Sequence, residues 1–140
     1  MDERKGRAED ESPEVKLLDL YSGAGGAAVG YHRAGFDEIV GVDNRAQPRY
    51  PFAFVQADAL EYLDWIDGAG FDAIHSSPPC QAHSALKTSW NARKHDDLIP
   101  ATRAGLIRAG LPYVIENVEQ APLLNPVRIC GSSIGLPMLR

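Results

Sequence analysis

The stretch VKLLDLYSGAGGAAVGYHRAG, residues 15–35, contains the pattern that decides the fold. Its first six residues, VKLLDL, form a short apolar run of the kind expected of a buried parallel strand. The glycine-rich turn YSGAGG follows at once, and AAVGYHRAG reads as one helix that is closed by Gly35. This order of strand, turn and helix points backbone N–H groups and a helix N-terminus at an anionic ligand. It favours a nucleotide-type cofactor site over a plain tight connection, which has the same local pattern.

Similar strand-like runs alternate with helical segments along the rest of the chain. Further strands are predicted at residues 38–42, 52–56, 71–75 and 113–115, with a sixth beginning at residues 127–130. Two more helices are predicted at residues 59–67 and 96–109, the second with an acidic first turn. We therefore predict an α/β fold with a doubly wound, mostly parallel sheet.

Length and composition predict one domain without a membrane-spanning segment. The N-terminal MDERKGRAEDESPE, residues 1–14, is charged and lacks apolar periodicity, so we predict a flexible tail there and a single domain at residues 15–140. No apolar run approaches the ~20 residues that span a bilayer, and the N-terminus lacks the apolar segment of a signal peptide. We therefore expect a cytoplasmic protein with no membrane partner.

Cysteine and histidine spacing gives no framework for disulfides or metals. Two cysteines, Cys80 and Cys130, lie far apart and form no CxxC pair, and the four histidines are scattered. We therefore expect no metal site.

The net charge of −5 hides an asymmetry along the chain. Residues 15–80 carry four basic and nine acidic groups, whereas residues 81–140 carry seven basic and four acidic groups. A positive excess after Cys80 suits a surface that faces phosphates. A solvated loop of mixed charge explains the same count, so charge alone leaves both interpretations open.

Asp43 ends the second predicted strand, twenty residues beyond Gly23 of the glycine turn. A carboxylate at this distance is where a ribose diol is held in dinucleotide-binding folds. An aspartate that merely starts the turn DNRAQP has the same pattern. The preceding glycine turn favours the cofactor interpretation.

The segment FDAIHSSPPCQAHS, residues 71–84, changes from an apolar run into a stiff turn that carries Cys80. Pro78 and Pro79 each fix φ near about −65° and remove a backbone donor. An unpaired cysteine is most often inert core, but Cys80 follows the apolar run and precedes polar residues, which favours an accessible nucleophile. The aperiodic residues 81–95 are predicted to form a long functional loop.

Glu116 follows the predicted strand at residues 113–115, as Cys80 follows the strand at residues 71–75. Both side chains are expected at the carboxyl edge of the sheet, on neighbouring strands. No histidine is obviously placed as the base of a cysteine hydrolase. The pair instead suits addition of a thiolate to an electron-poor ring while an acid engages a ring nitrogen. An ordinary surface carboxylate is the alternative interpretation of Glu116.

Taken together, these motifs resemble the catalytic half of a cytosine-C5 DNA methyltransferase. DLYSGAGGAAVGYHRAGF is similar to that family's S-adenosylmethionine loop, VDN to its acidic strand tip and ADAL to its adenine-facing segment. SSPPCQAHS resembles the Pro-Cys-Gln nucleophile motif, and VIENVEQ resembles the Glu-Asn-Val motif. The match runs from about Leu17 to Arg140 in the family's order. It implies a Rossmann-like, S-adenosylmethionine-dependent methyltransferase domain.

The resemblance implies a role for each matched position. Cys80 would attack C6 of a cytosine flipped out of DNA, and Glu116 would engage N3. The implied S-adenosylmethionine-binding residues are Asp19, Tyr21, Ser22, Gly23, Gly25, Gly26, Asp43, Asn44, Asp58 and Ala59. The residues implied to contact the base or the DNA are Pro78, Pro79, Gln81, Ser84, Asn117 and Arg140.

The chain departs from the family pattern within its motifs and at its end. Tyr21 stands where the family usually has Phe, and Ala82 and His83 replace the usual small residue and aromatic. Met138 and Arg140 resemble the opening of the family's Gln-x-Arg-x-Arg segment, and the sequence ends there without a target-recognition domain. We therefore expect a methyltransferase fold incomplete at the C-terminus, either a fragment or one half of a split enzyme that a second chain completes.

Other functions stay open beside the leading hypothesis, which is methylation of C5 of cytosine in DNA, as in restriction–modification. The chain could be a non-catalytic S-adenosylmethionine-binding accessory subunit or remnant, or it could modify cytosine in RNA. A dinucleotide oxidoreductase rests only on the glycine turn, and it is disfavoured because YSGAGG lacks a convincing GxGxxG.

Overall fold

The computed structural model describes residues 13–80, 82 and 96–136. The predicted charged tail lies outside these residues except for its last two positions, and the predicted loop at residues 81–95 lies outside them except for Ala82. Gln81, Ser84 and Arg140 also lie outside the described residues, so their implied DNA contacts stay predictions.

Five parallel strands form the sheet of the described chain. They are β1 (Lys16–Leu20), β2 (Glu38–Asp43), β3 (Ala53–Gln56), β4 (Ala73–Ser76) and β5 (Tyr113–Ile115). Their spatial order is β3-β2-β1-β4-β5, and every neighbouring pair is parallel. The chain proceeds outward from β1 in one direction to β3 and then in the other direction through β4 to β5. The gap between β1 and β4 is therefore the topological switch point, where ligands bind in open α/β sheets.

Three α-helices cover the two faces of this sheet. α1 (Gly26–Arg33) lies on one face, where its Ala28 packs with Leu17 and Ile39. On the opposite face lie α2 (Ala59–Ile66) and α3 (Ile99–Ala109). Their Leu63 and Leu106 pack there against the strand residues Leu18, Leu20, Val42 and Ile74. Helices on both faces of a parallel sheet confirm the predicted doubly wound α/β fold. Within the described ranges, no helix is long and apolar enough to cross a membrane.

α3 begins three residues later than the sequence predicts. Asp97 Oδ1 accepts a hydrogen bond from the Ile99 N–H at 3.0 Å, and Pro100 occupies the first turn. A carboxylate that bonds the backbone two residues ahead favours a turn over a helix, so the acidic residues precede the helix.

The predicted sixth strand at residues 127–130 is wrong. This segment pairs with no described strand and leads into a short 3-10 helix (Gly131–Ile134). Its apolar side chains point into solvent, with Val127 86% and Ile129 71% exposed. β propensity reflects packing on a half-buried surface. These exposed residues lack the packing contacts that would stabilise an extended strand.

A buried polar cluster lies on the α1 face of the sheet. Asp19 of β1 is 1% exposed, and its Oδ2 accepts a hydrogen bond from the Tyr50 hydroxyl at 3.0 Å. Its Oδ1 lies 3.0 Å from Nδ1 of the buried His75 in β4. Burial, and then the neighbouring Asp19 carboxylate, raises the pKa of Tyr50, so the hydroxyl keeps its proton and stays the donor. A buried carboxylate needs such partners to offset its lost hydration.

The Tyr50 ring connects this cluster to the glycine turn. A Cβ at Gly41 in β2 would overlap the ring, and a Cβ at Gly25 would lie 3.0 Å from its Cδ2 and 2.7 Å from Pro51 Cδ. Two glycines therefore leave the space that the ring fills. Tyr50 packs against the turn and, through its hydroxyl, holds Asp19.

We predict that Tyr50→Phe lowers the free energy of unfolding by about 1.5–3 kcal/mol, because it leaves a buried carboxylate oxygen without its donor. Denaturant titration measures the change. Tyr31→Phe is the matched control, since Tyr31 packs on the same face and its hydroxyl has no hydrogen bond to a described residue. Equal losses in the two variants would contradict the role given to the Tyr50 hydroxyl.

Candidate functional site

A cleft of about 700 Å³ opens at the carboxyl ends of the central strands. It lies at the switch point between β1 and β4, where the fold predicts a ligand site. Most of the residues singled out from the sequence line it. They are Tyr21, Gly23, Asp43, Asn44, Asp58, Ala59, Pro78, Pro79, Cys80, Glu116 and Asn117.

Strand register builds the centre of this cleft from one transverse row of the sheet. Consecutive partners across β2, β1, β4 and β5 are Val42, Leu20, Ser76 and Ile115. The residue that follows each partner lines the cleft, and these residues are Asp43, Tyr21, Ser77 and Glu116. Four separate sequence motifs therefore meet because four strands are paired at the same level.

The glycine turn is fixed to β2 at its start. The Ser22 N–H donates to the Val42 carbonyl at 3.0 Å. Gly23 has a φ of +51°, which disfavours residues with a Cβ, and a Cβ at this position would meet no atom within 4 Å. The backbone conformation therefore explains the glycine, and the open space beside it lets a ligand approach the turn closely.

Asp43 holds two turns with its two carboxylate oxygens. Its Oδ2 accepts a hydrogen bond from the Gly23 N–H at 3.0 Å, and its Oδ1 accepts one from the Arg45 N–H at 2.9 Å. Asp43 thus does start a turn, which was the alternative interpretation of its sequence position. Each oxygen keeps further acceptor capacity, so the side chain can also accept hydrogen bonds from ligand hydroxyls.

Asp58 caps the N-terminus of α2. Its Oδ1 accepts hydrogen bonds from the N–H groups of Leu60 at 2.9 Å and Glu61 at 3.0 Å. Its Oδ2 has no hydrogen bond to a described residue, and the side chain lines the cleft next to Ala59, the first residue of the helix. One oxygen therefore fixes the helix while the other is open to a donor group of a ligand.

Tyr21 connects the glycine turn to α3. Its backbone φ of +56° is left-handed, which costs a non-glycine residue roughly 1–2 kcal/mol. Its hydroxyl forms a 2.9 Å hydrogen bond with Oγ1 of the fully buried Thr102. Burial raises the pKa of Tyr21, so the phenol stays neutral. Where the resembled family has Phe, this chain has a ring that is also fixed at its tip.

The turn that carries Cys80 is held by neighbouring strands on both sides. The Ser77 N–H donates to the Leu20 carbonyl of β1 at 3.2 Å. Asn117 Nδ2 donates to the Pro78 carbonyl at 2.8 Å, from the segment that follows β5. Cys80 itself is half-buried and lines the cleft, so it is not the inert core cysteine of the alternative interpretation.

Glu116 extends from the end of β5 into the same cleft. Its N–H donates to the Ser76 carbonyl at 2.9 Å, which continues the sheet pairing by one residue. Its Oε2 accepts a hydrogen bond from the Ser77 hydroxyl at 3.1 Å. His75 cannot serve this site as a base, because it is buried against Asp19 on the α1 face. The cleft thus combines a thiol and a carboxyl group on adjacent strand ends.

The described part of the cleft lining is acidic. Among these residues the lining has one basic side chain, that of Arg45, and four carboxyl groups, those of Asp43, Asp58, Asp96 and Glu116. A cleft with one sign of charge concentrates ligands of the opposite sign. The lining therefore favours a cationic small molecule over a polyphosphate.

Four residues predicted to bind the cofactor do not line the cleft. Asp19 lies beneath the turn, where one oxygen accepts a hydrogen bond from Tyr50 and the other contacts His75, so its cofactor contact stays a prediction. Gly25 faces the Tyr50 ring, and Gly26 is the first residue of α1. Ser22 Oγ is buried and has no partner among the described residues. These residues shape the turn rather than the surface of the cleft.

The cleft also contains residues that sequence reasoning missed. Ser77, Asp96 and Leu98 all line it. Ser77 had a usable signal, because it lies three residues before Cys80 and two residues after the end of the strand predicted at residues 71–75. Asp96 and Leu98 carried no such signal, because they were assigned to the first turn of a helix that begins only at Ile99.

The fold and the cleft define a Rossmann-like α/β protein with a ligand site at its switch point. No protein-family model matches the chain. The type II methyltransferase M.HgiGI of Herpetosiphon aurantiacus is 30% identical over 132 residues, covering 78% of this chain and 94% of that protein. The type II methyltransferase M.AquIA of Picosynechococcus sp. is 25% identical over 122 residues, covering 76% of this chain and 49% of that protein. The chain therefore belongs to the type II methyltransferases.

Two further proteins are similar to this chain over a smaller share of its length. The type II methyltransferase M.AgeI of Thalassovita gelatinovora is 27% identical over 97 residues, covering 59% of this chain and 22% of that protein. The chain thus spans about half of M.AquIA and less of M.AgeI. Among solved structures, a SAM-dependent methyltransferase from Agrobacterium tumefaciens aligns with a TM-score of 0.42 and 20% identity, over 54% of this chain and 28% of that one.

We predict that Thr102→Val lowers the free energy of unfolding by about 1 kcal/mol, because it removes the partner of the Tyr21 hydroxyl at nearly constant side-chain volume. Tyr21→Phe should cost a similar amount. The double variant should cost no more than either single variant, since all three lose the same hydrogen bond. Denaturant titration of the four proteins tests this, and additive losses would show that the bond does not contribute to stability.

Proposed function

We propose that this chain carries the catalytic region of an S-adenosylmethionine-dependent methyltransferase that acts on C5 of cytosine in DNA, as in restriction–modification. The observation that supports this most directly is the joint placement of Cys80 and Glu116. They follow adjacent strands and line one cleft with Tyr21, Asp43 and Asp58. The membership in the type II methyltransferases supports methyl transfer as the reaction class.

In the proposed reaction, Cys80 acts as the nucleophile. The thiolate is the reactive form of cysteine, and its Sγ forms a bond to C6 of the cytosine as the C5–C6 π bond breaks. Carbon C5 thereby gains electron density and becomes nucleophilic. The target base has to leave the DNA stack to reach a thiol at the end of a strand.

Glu116 acts as the acid in the same step. It donates a proton to N3 as the C5–C6 π electrons move into the C4–C5 bond, so the adduct that forms is a neutral enamine rather than an anion. C5 of this enamine would then bond to the methyl group of the cofactor as the methyl–sulfonium bond breaks, and a water molecule would take up the C5 proton. The C5–C6 bond re-forms as Cys80 leaves as a thiolate, and N3 returns its proton.

The residues of the cleft fit S-adenosylmethionine. When bound, this cofactor supplies an electrophilic methyl group on a sulfonium. Asp43 would accept hydrogen bonds from the ribose hydroxyls, Asp58 Oδ2 would accept from the adenine amino group, and Tyr21 would contact the adenine ring. Gly23 leaves open space beside the turn, and Asn44 and Ala59 complete this side of the cleft.

The charge of the cleft lining distinguishes the proposed cofactor from the dinucleotide of an oxidoreductase. S-adenosylmethionine carries a sulfonium and an ammonium against one carboxylate, so its net charge is positive. A dinucleotide brings a negative pyrophosphate. The four carboxyl groups of the described cleft lining favour the positively charged ligand.

The thiol of Cys80 favours methylation at C5 over methylation of an exocyclic amine. An amine nitrogen on adenine or cytosine can attack a methyl donor directly, so that reaction needs no covalent nucleophile. In that reaction Cys80, which is half-buried and lines the cleft, would have no catalytic role. Pro78, Pro79 and Asn117, which line the cleft around it, would contact the flipped base.

We predict that Cys80→Ser abolishes methyl transfer from S-adenosylmethionine to DNA, because serine is a far weaker nucleophile at neutral pH. Incorporation of a labelled methyl group measures the activity, and nucleoside mass spectrometry identifies the product as 5-methylcytosine. Cys130→Ser is the matched control, since Cys130 is exposed and does not line the cleft. Activity that survives Cys80→Ser, or a product methylated on nitrogen, would overturn the proposed chemistry.

An accessory, non-catalytic S-adenosylmethionine-binding role is the second candidate, and it is supported by the cofactor side of the cleft, where Tyr21, Asp43 and Asp58 form the lining independently of the thiol. Calorimetry with S-adenosylhomocysteine and covalent trapping on 5-fluorocytosine DNA distinguish the two. Binding together with a Cys80-dependent adduct supports catalysis, whereas binding without an adduct supports the accessory role.

Parallel reactions on RNA test the remaining substrate alternative. Addition of a chain that carries a target-recognition domain tests whether a second subunit is required.

A further inference from the structure

The Ser77 hydroxyl joins the two strand ends that carry Cys80 and Glu116. Its Oγ donates to Glu116 Oε2 at 3.1 Å. Ser77 lines the cleft and lies three residues before Cys80 on the same turn. Among the described residues, Ser77 is thus the one whose side chain forms a hydrogen bond with the carboxyl group of Glu116.

We propose that Ser77 is a positioning residue that orients the Glu116 carboxyl group toward the target base. This inference rests on the proposed function, because it assigns a role within the same reaction. The proposed positioning role belongs to the Ser77 hydroxyl alone. The backbone of Ser77 is fixed independently by its N–H bond to the Leu20 carbonyl.

The hydrogen bond determines which oxygen of Glu116 can donate. Because Oε2 accepts the Ser77 proton, the proton of a neutral Glu116 lies on Oε1. Oε1 is then the oxygen that donates to N3 of cytosine. Without the Ser77 hydroxyl, both oxygens are equivalent and the carboxyl group can rotate.

The same bond is stronger at the transition state than in the ground state. As Cys80 Sγ bonds to C6, the Oε1 proton passes to N3 and Glu116 becomes a carboxylate. A hydrogen bond to an ionised acceptor is roughly twice as strong as one between neutral groups. An interaction that strengthens along the reaction raises kcat and leaves substrate affinity unchanged.

Ser76 offers a matched control one residue away. It is fully buried, and its hydroxyl has no partner among the described residues. Ser76→Ala removes a hydroxyl at the end of β4 and keeps the backbone carbonyl that accepts the Glu116 N–H. A general effect of losing a hydroxyl near the cleft would appear in both variants.

We predict that Ser77→Ala lowers kcat for methyl transfer by about tenfold, with KM for DNA and for S-adenosylmethionine unchanged. Ser77→Thr, which keeps a hydroxyl, should restore most of kcat, and Ser76→Ala should match the wild type. An equal loss in Ser76→Ala, or a rise in KM without a fall in kcat, would overturn the role of Ser77.

A double variant separates this inference from the proposed function. If Ser77 acts through Glu116, Ser77→Ala should add no further loss in the Glu116→Gln background. Additive losses would overturn the inference and leave the proposed function standing. Full activity of Glu116→Gln, or a wild-type chain without methyl transfer, would instead contradict the proposed function.

Infrared spectroscopy of the free protein tests the contact without turnover. The stretching band of the Glu116 carboxyl group, in its neutral or ionised form, should shift in Ser77→Ala and not in Ser76→Ala. The band is isolated with labelled glutamate and by subtraction of the Glu116→Gln spectrum. An unshifted band would show that the hydrogen bond is absent in solution and would overturn the inference, whatever the activity of the chain.

Discussion

Parallel pairing of β4 between β1 and β5 is the constraint on which the site depends. Backbone hydrogen bonds continue one residue past the strands, from the Ser77 N–H to the Leu20 carbonyl and from the Glu116 N–H to the Ser76 carbonyl. They set the level at which the glycine turn, the thiol turn and the carboxyl group leave the sheet. A register slip of one residue would turn every side chain of the slipped strand to the opposite face. The two buried cores on either face make such a slip costly, so hydrophobic burial ultimately fixes the geometry of the chemistry.

Much of this arrangement could be predicted from the sequence because its signals are local. Each strand is a short apolar run that ends in a polar or glycine-rich turn, and in a parallel sheet every such end lies at the same edge. That rule alone brings Asp43, Cys80 and Glu116 together, and the structure has all three in one cleft. The chemical roles proposed for them rest on the resemblance of the motifs rather than on this geometry.

What could not be predicted depends on contacts between distant residues. Asp19 has the sequence position of a ligand-binding residue, but a tyrosine 31 positions later provides its hydrogen bond and buries it. The apolar residues at positions 127–130 resemble a strand, yet they have no described neighbour to pack against. The start of α3 depends on competition between a turn closed by the Asp97 side chain and a helical turn, which composition alone does not resolve.

The two halves of the cleft are stabilised in different ways. Beside β1 and β2, Tyr21 is tied to a fully buried threonine, and the glycine turn rests on the Tyr50 ring above the buried Asp19. Beside β5, the edge strand of the described sheet, Glu116 is exposed, and burial does little to hold it. Orientation on that side therefore depends on a few hydrogen bonds, those of Ser77 to Glu116 and of Asn117 to Pro78. The buried half suits binding of a small cofactor, whereas the exposed half leaves room for the flipped base of the proposed reaction.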